Sequence, residues 1–193
     1  MFKKKQWLTQ MEMGRVKPVI LIAGELGAGC TEVGELLSKK LGLEVHNTEK
    51  IIRSLVSSPT LSFKALVEKS VSGEIEIEKV LYSMVLDIVN NGPAIIEGRS
   101  ALMALTHEAD LKVFLYGDMK DRVKHLAERR KTEDLKQLEE DIKASDIDRN
   151  SLVEKLFHRN WRDPLLYDLM INTSKMSYEE TASLILEALK SRT

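Results

Sequence analysis

The chain has 193 residues, 43% of them hydrophobic and 31% charged, with a formal net charge of −1. That length suits one α/β core and is short for two. The balanced charge gives no global attraction to nucleic acid or to a membrane surface, and no apolar run reaches signal-peptide or transmembrane length. A single cysteine, Cys30, excludes an internal disulfide and fits a reducing, cytoplasmic setting.

Residues 1–17 are polar and weakly patterned, and read as a tail or a short helix lying on the domain, with Lys3-Lys4-Lys5 as a solvated cluster. Val19-Ile20-Leu21-Ile22-Ala23 is a continuous apolar run between Pro18 and Gly24, the pattern of a central parallel strand covered on both faces. The next stretch is Gly24-Glu25-Leu26-Gly27-Ala28-Gly29-Cys30-Thr31. It matches a phosphate loop, Gly, four arbitrary residues, then Gly-Lys-Ser/Thr, except that Cys30 stands where the lysine belongs. Glycines at 24, 27 and 29 let several backbone N–H groups turn inward together, and the positive end of the following helix favours an anion at the same point. Thr31 offers a hydroxyl to a magnesium ion. A thiol at a helix N-terminus is either reactive, with a lowered pKa, or a small spacer.

Val33, Leu36, Leu37 and Leu41 recur at helical spacing up to a stop at Gly42. Leu43-Glu44-Val45-His46 predicts a short second strand, and Asn47 or Thr48 caps a helix carrying Ile51, Ile52, Leu55 and Val56, with Arg53 on its polar side. Residues 57–73 hold a weaker helical pattern through Phe63, Leu66, Val67 and Val71. A longer helix, Ile75 to Asn90, turns Ile77, Val80, Leu81, Met84, Val85 and Ile88 to the core. These helices form an insertion between two strands. Ala94-Ile95-Ile96-Glu97 is the third strand, ending in a turn at Gly98-Arg99-Ser100. Ligand crevices of open α/β sheets lie outside the C-terminal ends of the strands, so Glu97 and Arg99 fall where the first strand delivers its phosphate loop.

Leu111 to Tyr116 is the fourth strand, and Asp118 caps a helix with Val123, Leu126 and Ala127. The basic run Arg129-Arg130-Lys131 at its end either answers the helix dipole or reaches a ligand. Thr132 to Phe157 is long and charged with sparse apolar residues, and reads as a helical hairpin standing partly away from the core; its Asp146 and Arg149, three apart, share a face. Tyr167 to Asn172 predicts the fifth strand, and Ser177 with Glu180 forms a capping box before a last helix through Ile185, Leu186 and Leu189. The alternation predicts a mainly parallel sheet with helices on both faces.

Five blocks, in this order, resemble the cytidylate kinases, in particular the archaeal-type and cytidylate-kinase-like branches of the nucleoside monophosphate kinases. They are Gly24 to Thr31, Asn47-Thr48-Glu49-Lys50-Ile51-Ile52-Arg53, Glu97-Gly98-Arg99, Ala109 to Leu115, and Tyr167 to Lys175. The resemblance runs from about Val19 to Leu189. It implies an α/β fold of the P-loop NTPase type: a five-stranded parallel sheet with helices on both faces, in one kinase domain over 18–193, with a helical substrate-binding insertion at 48–91 and a helical lid region at 129–163. It also implies transfer of the γ-phosphoryl group of ATP, assisted by Mg²⁺, to CMP or dCMP, by a monomer or homodimer whose partners are small-molecule nucleotides.

Carried onto this sequence, the resemblance assigns the donor's phosphates to Gly24, Gly27, Ala28, Gly29, Cys30 and Thr31. It assigns the acceptor's phosphate to Arg53 and Arg99, a place near the acceptor sugar to Asp146, and closure over the transferred group to Arg129 or Arg130 with Arg149. Thr31 and, through a water, Glu97 hold the metal, and Asn172 to Ser177 take the donor's adenine. Cys30 departs from most phosphate-loop kinases but not from these branches. Asn47 stands where many relatives have an acidic residue, and Ser100 replaces an Asp of the bacterial enzymes. These departures leave two alternatives: a catalytically weak or inactive nucleotide-binding protein, and a small-molecule kinase with another hydroxylated acceptor.

Overall fold

The computed structural model describes residues 18–56 and 76–192. The tail at 1–17 and the helical pattern of residues 57–73 lie outside the described residues, as does part of the insertion at 48–91. Five parallel strands, β1 (Val19–Gly24), β2 (Val45–His46), β3 (Ala94–Glu97), β4 (Leu111–Tyr116) and β5 (Leu169–Asn172), form one sheet in the order β2-β3-β1-β4-β5. Among the described residues the helices are α1 (Cys30–Leu41), α2 (Thr48–Val56), α3 (Ile77–Asn91), α4 (Arg99–Met103), α5 (Met119–Arg130), α6 (Leu135–Phe157) and α7 (Tyr178–Lys190).

Successive strand side chains point to opposite faces, and here both faces are covered. Ile20, Ile22, Val113 and Leu115 pack with Val33 and Leu37 of α1 and with Ala182, Ile185 and Leu189 of α7. Leu21, Ala23, Ile96 and Phe114 pack the other way, against Leu81 and Val85 of α3, the apolar side chains of α4, and Leu152 and Val153 of α6. This double burial is why β1 reads as an unbroken apolar run. The chain leaves β1 toward one side of the sheet, to β2 and β3, and then crosses to β4 and β5 on the other. The end of β1 is therefore the point where strand order reverses, and the glycine loop leaves the sheet there. Ile22 pairs with Glu97 and Gly24 with Leu115, so β1, β3 and β4 finish at the same edge.

The structure differs from the sequence reading in three places. Thr132 to Phe157 is no hairpin: α6 is one helix of 23 residues, opened by Asp134, whose Oδ1 accepts from Gln137 N at 3.0 Å, and uninterrupted by glycine or proline. The turn lies before it, between α5 and α6. The first half of α6 packs Leu138 and Ile142 against Val123 and Leu126 of α5, in a small core of its own, and the second half joins the main core. The expected turn at 98–100 opens α4 instead, a helix of five residues whose Ser100 to Met103 are buried. It is apolar nearly all round and too short for helical periodicity to show. β5 starts at Leu169 because Pro164–Leu166 forms a 3₁₀ turn, capped by Asp163, whose side chain accepts from Leu165 N.

Candidate functional site

Gly27 (φ 85°) and Gly29 (φ 93°) hold left-handed conformations in the loop. A Cβ on Gly29 would lie 2.2 Å from Cε1 of Tyr178, and one on Gly27 would lie 2.6 Å from the carbonyl oxygen of Arg122, so neither position admits a side chain. Gly29 then caps α1 without any side-chain bond, leaving the first N–H groups of the helix for an anion.

Cys30 is buried, and a Cβ placed on Gly24 would come within 2.8 Å of its Sγ. Burial, and then the Glu97 carboxylate, push the thiol up to about 12. Both effects run against a reactive thiolate, and Cys30 packs as a small spacer beneath the first glycine of the loop.

Thr31 and Glu97 meet at the end of β3. Glu97 Oε1 accepts from Thr31 Oγ1 at 3.2 Å and from Asn47 Nδ2 at 2.9 Å. Asn47 also resolves the choice of cap for α2, because its Oδ1 accepts from Lys50 N at 2.9 Å. Burial raises the Glu97 pKa above the ordinary carboxylate value, opposed by the bonds from Asn47 and Thr31 and then by Arg149 and Arg129. A hydroxyl and a carboxylate side by side at the exit of a phosphate loop are hard oxygen ligands that fit Mg²⁺. Arg149, half-buried on α6, donates from Nη1 to the Gly24 carbonyl at 2.8 Å and from Nε to Ser145 Oγ at 3.1 Å. A guanidinium from a distant helix thus sits against the entrance of the loop that lacks its lysine.

The other expected residues are placed unevenly. Arg129 is beside the loop, 3.7 Å from Glu32 of α1, whereas Arg130 is tied to Asp141 of α6 at 2.5 Å. Arg99, at the start of α4, pairs with Asp148 of α6 and lies 3.7 Å from Glu78 of α3. Arg53 is on the exposed side of α2, 2.8 Å from Glu49. Asp146 takes both bonds of a forked contact from Arg122 Nη2, at 2.8 and 2.7 Å. In the loop after β5, Ser174 Oγ accepts from Asp118 N at 2.8 Å, which joins that loop to the start of α5. The residues that sequence reasoning missed are Arg122, Glu25 and Arg162. Arg122 is 4% exposed, pairs with Glu25 at 3.1 Å and donates from Nε to the Leu26 carbonyl at 3.0 Å. Its signal was available: Arg122 and Leu126 are four apart on α5, so an arginine shares the face of a core leucine.

A parallel sheet in this order, with a glycine phosphate loop at its reversal point, is the fold of the small P-loop kinases. The chain belongs to the cytidylate kinase-like family, whose model matches residues 19–175. It is 27% identical over 175 residues to a cytidylate kinase of Staphylothermus marinus, covering 89% of this chain and 96% of that one. It is 29% identical over 175 residues to a cytidylate kinase of Methanobrevibacter smithii, covering 89% and 98%. Among solved structures, an uncharacterized protein from Eubacterium ventriosum superposes with a TM-score of 0.69 at 16% identity, covering 90% of this chain and 99% of that one. Shikimate kinase from Acinetobacter baumannii, in complex with shikimate, superposes with a TM-score of 0.62 at 16% identity, covering 95% and 98%. These two structures share the fold. Among the described residues, no helix is long and apolar enough to cross a membrane.

Proposed function

We propose that the chain transfers the γ-phosphoryl group of ATP to a nucleoside monophosphate, with CMP or dCMP as the acceptor. The observation that carries this reading is the meeting at one sheet edge of a glycine loop, the Arg149 guanidinium 2.8 Å from its first carbonyl, and the Thr31–Glu97 oxygen pair. Phosphoryl transfer asks little covalent chemistry of the protein and depends on positioning and on neutralising spread negative charge. The acceptor atom is itself a phosphate oxygen, so no general base is required.

In this reading the N–H groups of the loop and the start of α1 hold the donor's phosphates, with Arg149 supplying the charge that a loop lysine would bring. Arg129 lies alongside. Thr31 and, through a water, Glu97 would hold Mg²⁺, which when bound neutralises charge on the donor's phosphate oxygens. Arg99 and Arg53 take the acceptor's phosphate and Asn172 to Ser177 the donor's adenine, whereas Asp146, expected near the acceptor's sugar, has both oxygens on Arg122 beside the loop and belongs to the donor side. The insertion at 48–91 is the acceptor-binding segment, and the 129–163 region, which holds α6, closes over the site as a lid. The cytidylate kinase relatives support CMP as the acceptor.

A second reading, a nucleotide-binding protein with weak or no transfer, draws on Arg99 being already paired with Asp148 and close to Glu78. A coupled ADP-release assay across the common nucleoside monophosphates tests the first reading: turnover is expected with CMP or dCMP above the others, and no turnover above background with any of them overturns it. Titration calorimetry with ATP then separates binding without transfer from no binding.

A further inference from the structure

We infer that Arg162 is a positioning residue for the donor's phosphate chain, acting by balancing the charge of Glu25 and Asp146 beside the phosphate loop. The inference rests on the reading of that loop as the donor-phosphate site. Glu25 is the first variable residue of the loop and is buried, and its own N–H donates to the Leu115 carbonyl at 2.9 Å. Its Oε1 accepts from Arg162 Nη2 at 2.6 Å, and its Oε2 accepts from Gly117 N at 3.2 Å and lies 3.1 Å from Arg122 Nη1. Asp146 holds Arg122 by its fork and lies 3.5 Å from Arg162 Nη2.

Two carboxylates and two guanidiniums therefore close a ring against the loop. The arginines are not equivalent. Arg122 is buried with all three nitrogens engaged, on Leu26, Glu25 and Asp146. Arg162 is 51% exposed, rides over the ring of Trp161 at 5.3 Å, and belongs to the segment between α6 and β5. Arg122 alone would leave one buried carboxylate uncompensated where a polyphosphate must approach. Arg162 removes that surplus charge, and it holds Glu25 so that the loop's first peptide stays in register with β4.

The test uses the full chain and reads binding and turnover separately. Arg162→Ala is expected to weaken binding of ATP and of inorganic tripolyphosphate about tenfold, with KM for CMP and binding of adenosine unchanged. Arg162→Lys is expected to keep most of the affinity. Adding Glu25→Gln to Arg162→Ala removes the surplus carboxylate and is expected to restore tripolyphosphate binding to within about threefold of the parent. A purely structural arginine would lower the melting temperature together with the affinity for adenosine as well as for tripolyphosphate, whereas charge balance affects the anion alone. Unchanged tripolyphosphate affinity in Arg162→Ala, or a double variant no tighter than the single one, overturns the inference. Should the parent turn over no monophosphate, the kinase reading fails by itself, and the tripolyphosphate titrations still decide the charge balance. Thermal melts accompany each variant; should Arg162→Ala unfold, Arg162→Gln takes its place with the same expected loss of tripolyphosphate binding, and parent affinity in that variant overturns the inference.

Discussion

Asn47→Asp probes the oxygen pair at the loop exit with a change of one functional group. Asn47 donates from Nδ2 to Glu97 Oε1 at 2.9 Å and caps α2 through its Oδ1. An Asp keeps the cap, since a carboxylate oxygen accepts equally well from Lys50 N, but it turns the donor into an anion facing a buried carboxylate. At a separation of about 4 Å and an effective dielectric near 20 the repulsion is about 4 kcal/mol, and the nearby Arg149 and Arg129 offset part of it, leaving a loss of about 2–3 kcal/mol. Two things relieve the repulsion: a proton or a divalent cation. The sign with pH follows from the parent, where burial raises Glu97 above its unfolded value, so the folded chain binds the extra proton between the two values. That contribution to stability is complete below the unfolded value and is lost as pH rises through the folded one. The variant extends the window upward. Guanidinium unfolding followed by circular dichroism should show the loss in full near pH ~8 with a chelator, a smaller loss near pH ~5, and a larger gain on adding Mg²⁺ than the parent shows. A variant as stable as the parent near pH ~8 without Mg²⁺, or one that gains no more from the ion than the parent does, would refute the proposed assignment of Thr31 and Glu97 to a cation site beside position 47.

Cys30, with a pKa of about 12 against an ordinary 9.0, should react with iodoacetamide on the order of 10³-fold more slowly than a free thiol, followed by mass spectrometry; labelling of the folded chain at the unfolded rate would contradict its burial as a neutral spacer. Arg149→Lys keeps a charge but loses the planar guanidinium that bonds the Gly24 carbonyl through Nη1 and Ser145 Oγ through Nε, and phosphoryl transfer in the coupled assay should fall about 10²–10³-fold; undiminished transfer would show that the loop's cation is another residue. Arg122→Met leaves Glu25 and Asp146 without their buried partner and should cost about 3–5 kcal/mol of unfolding free energy, whereas Arg130→Ala, whose pair with Asp141 is solvent-exposed, should leave the unfolding midpoint within error.

What was legible in the sequence follows from how locally each feature is encoded. Val19 to Ala23 and Leu111 to Leu115 announced themselves because a strand buried on both faces needs no polar alternation. The loop was legible because two of its backbone conformations, at Gly27 and Gly29, admit glycine alone. Strand order was not, since alternation of strands and helices fits several orders and only the pairing of β1 with both β3 and β4 selects this one. The hairpin expected within 132–157 failed because sparse apolar residues there mark two different packing partners along one continuous helix, α5 first and the main core afterwards. Glu25 and Arg162 had no signal at all. They are 137 positions apart, and nothing in either neighbourhood foretells an ion pair that exists only once the segment after α6 returns to the loop.

The absent lysine changes how the loop receives its charge. A lysine at position 30 would sit on the loop itself, in place whatever the rest of the chain does. Here the cations come from elsewhere: Arg149 from α6, Arg129 and Arg122 from α5, Arg162 from the segment that follows α6. Asp146 and Arg149 stand three apart on α6, one holding Arg122 and the other the Gly24 carbonyl, so the seating of α6 and the charge beside the loop are a single arrangement. Any anion that binds the loop through Arg149 must then favour the seated helix, and by linkage a seated helix must favour the anion to the same degree. Cys30 is what leaves room for this. Its sulfur occupies the space beneath Gly24 without charge, and an ammonium there would compete with Arg149 for the same carbonyl and, in the proposed function, for the same phosphates.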